Sequence, residues 1–342
     1  MTGGPTLPLQ APYGSDKNGL ICGFLFEGGG PGVAVDLERA RSWLRDGGDR
    51  PDSFVWLHFN LTDAAAQAWM REHLALVPEF FEALQEGSRS TRIEDASDTL
   101  VAVVNDVAFE FAFDPSEIAT LWVTVGPRLA VSARSHPLRS IDRLRQAVKD
   151  GCRFDSSLGF LNRLLHDQGD VLVRIVREAT VRVDAVEDGL LAGRLQAKRI
   201  ELGKLRRVLV RLQRLLAPEP GALFRLLRQP PPWVGEPALD ELRQATEEFT
   251  LIIRDMSELK ERIKLLQEEI AAQVGEQTNR SLFTLTVVTV LALPINIVAG
   301  LLGMNVGGIP LAQHEHGFAI VVAIIASFTV LAVWLAFRRR RD

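Results

Sequence analysis

The chemistry of this sequence is concentrated near its C-terminal end. Asn279, Leu282, Thr286, Thr289, Leu293, Asn296 and Gly300 follow one another in steps of three and four, the spacing that stacks side chains on one face of an α-helix. Two amides, two hydroxyls and a glycine therefore share a stripe in an otherwise apolar segment. Such groups hydrogen-bond the shell of a hydrated ion, or replace one or two of its waters. The stripe has two readings: a pore lining, or small residues that let helices pack closely in lipid. Leu282 and Leu293 are candidate constrictions where dewetting would gate flow, although core packing gives the same pattern. Gly303-Met304-Asn305 follows directly. His314-Glu315-His316 adds three potential ligands. In an extended chain alternate residues project together, so both imidazoles reach one metal, whereas a polar loop tip is the plainer reading. No His-Glu-x-x-His occurs, which excludes a helical metalloprotease site.

The element that must carry the stripe is uncharged from Leu282 to Leu302, long enough to span a hydrocarbon core of about 30 Å. A transmembrane helix is expected over 281–302, a short loop over 303–317, a second span over 318–337 and a basic tail over 338–342. Val306 to Gly317 lacks Lys and Arg, whereas Lys260, Arg262, Lys264, Arg280 and the run from Arg338 to Arg341 flank the other side. The positive-inside rule then places both termini in the cytoplasm. The stretch from Met1 to Asp16 is rich in Gly and Pro and has no apolar centre, unlike a signal peptide. Two helices cannot enclose a pore, so a conducting stripe requires a ring of copies.

Neither expected span contains Asp, Glu, His, Lys, Arg or Cys. No fixed charge or soft ligand is present there to strip water from zinc, so an ion would pass largely hydrated. Proton-coupled transport would need titrating groups elsewhere, at the loop histidines or upstream carboxylates. Pro294 cannot bond back to the carbonyl of Val290, so a bend is expected.

Upstream lies the longest periodicity of the chain. Leu242, Ala245, Phe249, Ile252, Met256, Leu259, Ile263, Leu266 and Ile270 alternate steps of three and four, predicting a stalk helix over 237–280. Continued from residue 238 to 302, it would be about 100 Å long. Counting back from Asn279 by threes and fours reaches Glu268, Leu265, Glu261, Glu258, Arg254 and Glu247. The apolar seam is expected to pack on other helices while this mainly acidic face looks inward. Glu258, Glu261 and Glu268 repeated around a ring would concentrate divalent cations; ordinary solvated charges give the same pattern.

The string PINIVAGLLGMNVGGIP from Pro294 to Pro310, with Gly303-Met304-Asn305 between two C-terminal apolar runs, resembles the signature of the CorA family of divalent-cation transporters. Its continuation, and PRLAVSARSHP from Pro127 to Pro137, are similar to the zinc-transporting ZntB branch. The resemblance implies a homopentamer with a cytoplasmic α/β funnel, a stalk helix continuous with the pore-lining first span, and a second span outside it. It also implies an outer selectivity ring at Gly303, Met304 and Asn305, a bacterial inner-membrane location, zinc as the carried ion and coupling to protons. No tightly bound cofactor is implied.

The rest of the chain agrees with an α+β membrane protein. Its 342 residues, formal net charge of −4 and 24% charged residues fit one soluble body plus membrane helices. Residues 1–16 read as a tail and 17–150 as an α/β domain, with strands at Leu20–Phe26, Ser53–Asn60, Thr99–Phe113, Glu117–Val125 and Arg128–Ala133. Thr62 or Asp63 is suited to cap a helix, and Pro78 to open another. The glycines at 28–30 and 32 form a turn, since no Gly-Lys-Ser/Thr follows. Residues 151–236 read as helical, with Ala217 to Pro237 a proline-rich turn. The basic run from Arg174 to Arg214 lacks interleaved aromatics, which argues against nucleic acid. Cys22 and Cys152 are the only cysteines; zinc ligation is one role and a buried free thiol the commoner one. No nucleophile, base and oxyanion grouping argues for an enzyme. Three readings stay open: a zinc transporter, a magnesium or cobalt channel suited by the all-oxygen lining, and a membrane-anchored scaffold.

Overall fold

The structure, a computed structural model, describes residues 14–46, 52–87, 92–96, 98–108, 111–191, 198–304 and 314–338. It divides into two units, Met1–Leu266 and Gln267–Asp342.

The first unit is built on a seven-stranded sheet of order β2-β1-β3-β7-β6-β5-β4. The strands are β1 (Leu20–Phe26), β2 (Val33–Ala34), β3 (Phe54–Asn60), β4 (Arg92–Ala96), β5 (Thr99–Val107), β6 (Ile118–Val125) and β7 (Leu129–Arg134). Only the β3–β7 pair is parallel. The long hydrophobic runs of β3 and β5 are buried almost throughout, as strands covered on both faces must be. Val55, Leu57 and Phe59 of β3 and Val131 and Ala133 of β7 share one core with α1 (Leu37–Asp46), α2 (Ala64–His73) and α3 (Pro78–Glu86). On the alternate residues, Trp56 of β3 meets Phe160 at a ring-centroid separation of 4.7 Å, covered by α4 (Arg139–Lys149) and α5 (Ser157–Leu191). Asp63 caps α2 by accepting from the Ala65 amide at 3.0 Å, and Pro78 opens α3. The expected strand from Thr99 to Phe113 ends earlier, at Val107; Phe113 has a left-handed φ of 61°, unsuited to a strand.

The helical layer continues with α6 (Lys198–Leu216), α7 (Pro218–Arg228) and α8 (Glu236–Leu302). Here the expectation of a turn from Ala217 to Pro237 is corrected, because most of that stretch is the helix α7. Pro218 opens it, and first-turn residues have amides with no intrahelical acceptor, so proline costs nothing there. All nine seam residues from Leu242 to Ile270 are buried. Asn162 of α5 donates to the Ala238 carbonyl at 2.7 Å, and Lys260 of α8 donates to Gln213 of α6 at 3.0 Å. Arg262 forms an ion pair with Asp184 of α5 at 2.7 Å.

The second unit contains the C-terminal part of α8 and the helix α9 (Gly317–Arg338). α8 carries a window apolar enough to cross a membrane, none of it buried, and Gly317–Leu331 of α9 is a shorter apolar stretch. α8 runs through Pro294 to Leu302 without interruption.

Candidate functional site

Asn279, Leu282, Thr286, Thr289, Leu293, Asn296 and Gly300 all lie on α8 and are all exposed in the single chain. The less exposed residues of this segment include Val287, Leu291, Pro294, Val298 and Leu302. At about 100° per residue this second set centres on the opposite side of the helix. On α9, Gly317, Val321, Ile325 and Thr329 form the matching less exposed row, spaced by four. These rows are the contact faces available to the two helices, and the polar stripe points away from the α8 row.

The stripe hydroxyls have a defined polarity. Thr286 donates to the Leu282 carbonyl at 2.8 Å and Thr289 to the Leu285 carbonyl at 2.9 Å. Each hydroxyl has one proton, so its outward side offers lone pairs only. Waters bound to a cation turn their hydrogens outward, and acceptors are what those hydrogens need. The stripe is therefore suited to a hydrated cation.

At the helix end Gly303 donates its amide to the Ala299 carbonyl at 2.9 Å. A Cβ on Gly303 would lie 2.9 Å from that same oxygen, closer than a side chain tolerates. Met304 beside it is exposed. Asn305 lies outside the described residues. His314, Glu315 and His316 are exposed ahead of α9. Their two rings stand 6.2 Å apart, and His314 Nδ1 accepts from the His316 amide at 3.2 Å. Among the described residues no three His, Cys, Asp or Glu side chains gather closely enough to hold a metal ion. Neither the loop triplet nor the stalk glutamates form such a cluster within one chain.

Glu258, Glu261 and Glu268 lie on an exposed face of α8. Glu258 pairs with Arg254 at 3.0 Å, and Glu261 approaches Lys264 at 3.8 Å. These exposed same-helix pairs leave much of the negative field in place. The face is not purely acidic, since Leu251 and Leu265 are 60% and 63% exposed on it. Cys22 and Cys152 are both free thiols. Burial pushes the Cys22 thiol up to about 12, although Arg145 and Lys149 pull it down, so it is not a ready metal ligand.

A buried polar chain went unread in the sequence. Trp56 Nε1 donates to Ser132 Oγ at 2.8 Å, His58 Nδ1 lies 2.8 Å from the same oxygen, and Arg134 Nε donates to His58 Nε2 at 3.0 Å. Arg134 also lies 3.8 Å from Asp142, which approaches Arg145 at 3.4 Å. Ser132 and Arg134 sit in the string from Pro127 to Pro137. The parallel register pairing His58 with Ser132 brings them to His58, and such a pairing leaves no trace in local spacing.

Here an α/β body is followed by a long helix with a stretch long and apolar enough, by length and composition, to cross a membrane. The chain belongs to the CorA family: a family model described as "CorA-like Mg2+ transporter protein" matches residues 51–340. The divalent cation transporter CmaX of Pseudomonas aeruginosa is 29% identical over 335 residues, 97% of this chain and 99% of that protein. The zinc transport protein ZntB of Yersinia enterocolitica is 24% identical over 280 residues, 82% of this chain and 85% of its own length. The structure of full-length CmaX superposes with a TM-score of 0.79 at 28% identity, covering 96% of this chain and 99% of that one. The CorA magnesium transporter from Methanocaldococcus jannaschii shares the fold, with a TM-score of 0.71 at 20% identity over 93% of this chain and 97% of that one.

Proposed function

We propose that this protein is a divalent-cation transporter whose copies surround a pore lined by the stripe from Asn279 to Gly300. The observation that carries the reading is the orientation of that stripe. It is exposed along its whole length, on the side opposite the helix's less exposed row, with both threonine hydroxyl protons already donated. Two helices cannot close a channel, so the functional unit is a ring, a pentamer by family resemblance. Exposed Leu251 and Leu265 support contact between copies. The ring sits in the bacterial inner membrane with both termini cytoplasmic, α9 forms the second span, and Gly303, Met304 and Asn305 form the outer selectivity ring.

Zinc is the favoured ion. The ZntB likeness supports it, as do His314 and His316, whose imidazoles suit zinc. These loop residues, or the stalk glutamates, are where proton coupling would act. The second reading is a magnesium or cobalt channel, favoured by a stripe whose polar groups are oxygens and amides rather than sulfur or imidazole.

The test is flux into liposomes carrying a zinc-sensitive dye, with and without an inward proton gradient and with magnesium as competitor. Zinc entry that rises with the gradient and resists magnesium supports the coupled zinc reading. Magnesium entry indifferent to the gradient supports the channel. Absence of both fluxes rejects transport.

A further inference from the structure

The soluble unit contains a cavity unrelated to the polar stripe. It measures about 990 Å³ and lies between α1, the segment after α2 and the turn joining β6 to β7. This is the size range of small-molecule sites. Its lining mixes two chemistries.

One part of the lining is cationic. Arg41 and Arg45 project from successive turns of α1 and Arg128 from the β6–β7 turn. Arg128 is held in place: its guanidinium lies 4.9 Å over the Trp43 ring and donates to the Trp43 carbonyl at 3.3 Å. Its Nε is buried without a hydrogen-bond partner among the described residues. His73 stacks on Trp69 at 4.8 Å with its Nδ1 directed to the Trp69 carbonyl at 3.1 Å, leaving Nε2 unengaged by that contact. Glu72 is the one carboxylate lining the cavity among the described residues. Leu44, Leu74, Leu76 and Leu129 add apolar lining among these polar groups.

Thr124, on β6, supplies an independent indication. It lines the cavity and is 1% exposed, and its Oγ1 has no hydrogen-bond partner among the described residues. A buried hydroxyl left unsatisfied is destabilising, so Thr124 offers the cavity wall a free hydrogen-bonding group.

We propose that this cavity binds a small phosphorylated organic molecule of nucleoside-monophosphate size. Three guanidiniums exceed what the two oxygens of a carboxylate occupy and suit the three oxygens of a phosphoryl group. The leucine lining covers the organic body, and Thr124 satisfies its hydroxyl against the ligand. The inference goes beyond the transport reading and does not depend on which ion is carried.

The test is calorimetric titration of the full chain in detergent at low salt with EDTA, using AMP, adenosine and inorganic phosphate as probes. Binding of AMP is expected, with adenosine and phosphate each weaker by about tenfold or more. Arg41→Gln with Arg45→Gln, on the outer side of α1, should weaken AMP by about tenfold or more, and Thr124→Val by a few-fold. Rising potassium chloride should weaken AMP binding to the parent. Failure of the parent to bind AMP, or equal affinity in the arginine variant, overturns the site. Adenosine binding as tightly as AMP overturns the anionic assignment, and phosphate doing so overturns the role of the leucine lining. Binding is read without metal flux, so failure here and failure of the transport reading are separate results.

Discussion

Arg134 Nε donates to His58 Nε2 at 3.0 Å inside the sheet layer. Arginine has no acceptor, so Nε2 must carry the lone pair, and Nδ1 keeps the proton and donates to Ser132 Oγ at 2.8 Å. His58 is thus neutral in one tautomer, its pKa held well below 6.5 by burial first and by Arg134 and Arg145 next.

This arrangement has a pH signature. Below about 6.5 the unfolded chain binds a proton at His58 that the folded chain refuses, so the unfolded state holds more protons and stability falls with pH. The contribution is fully present above the unfolded value and is lost as pH drops beneath it. His58→Gln keeps an acceptor for Arg134 and a donor for Ser132 but cannot titrate. Thermal midpoints measured from pH 8 to 5 should fall less steeply in the variant than in the parent. Parallel curves would show that His58 is protonated in the fold.

The hydroxyl polarity of the stripe predicts a flux defect without a folding defect. Thr286→Val with Thr289→Val preserves shape and removes the outward acceptors. Liposome flux of the favoured ion should fall by roughly tenfold, the equivalent of one or two lost hydrogen bonds, while the melting temperature stays near that of the parent. Thr286→Ser with Thr289→Ser should retain most of the flux. Undiminished flux in the valine variant would place the ion path elsewhere.

Gly303→Ala should strain the end of α8, because the new Cβ would meet the Ala299 carbonyl at 2.9 Å. Overpacking of this kind costs about 1–3 kcal/mol. The purified protein should melt at a lower temperature and conduct less. An unchanged melting curve would mean the backbone relaxes freely there.

The stalk glutamates should act through their field rather than through contacts. Replacing Glu258, Glu261 and Glu268 together with Gln should reduce flux at low ionic strength and leave it close to parental at high salt, where screening removes the field. Flux and salt dependence equal to the parent would reduce these residues to a solvated face.

Much of this molecule was legible because its signals are periodic. The seam from Leu242 to Ile270 is buried at every position read from its spacing, and β1 begins and ends where its apolar run does. The stripe was legible as a face, but the i−4 bonds of Thr286 and Thr289 that fix its polarity come only with coordinates. Signals that depend on distant residues were missed. β2 has two residues, too few for an alternation, and exists through its pairing with Phe24 and Leu25. The prolines from Ala217 to Pro237 suggest a turn because prolines usually break helices, whereas Pro218 occupies the opening of α7, where they do not. Arg41, Arg45, Thr124 and Arg128 are spread over 88 positions of sequence, and only the fold makes them neighbours.

The sheet carries a final consequence at its margins. One border, β2, is two residues long. The other, β4, carries exposed Glu94 and Asp95 and has α7 packed against it. Short, charged and covered borders do not recruit strands from another molecule. Copies of this chain can therefore meet without merging their sheets, and assembly is left to helix surfaces, where a contact can loosen and re-form while each subunit keeps its backbone pairing intact.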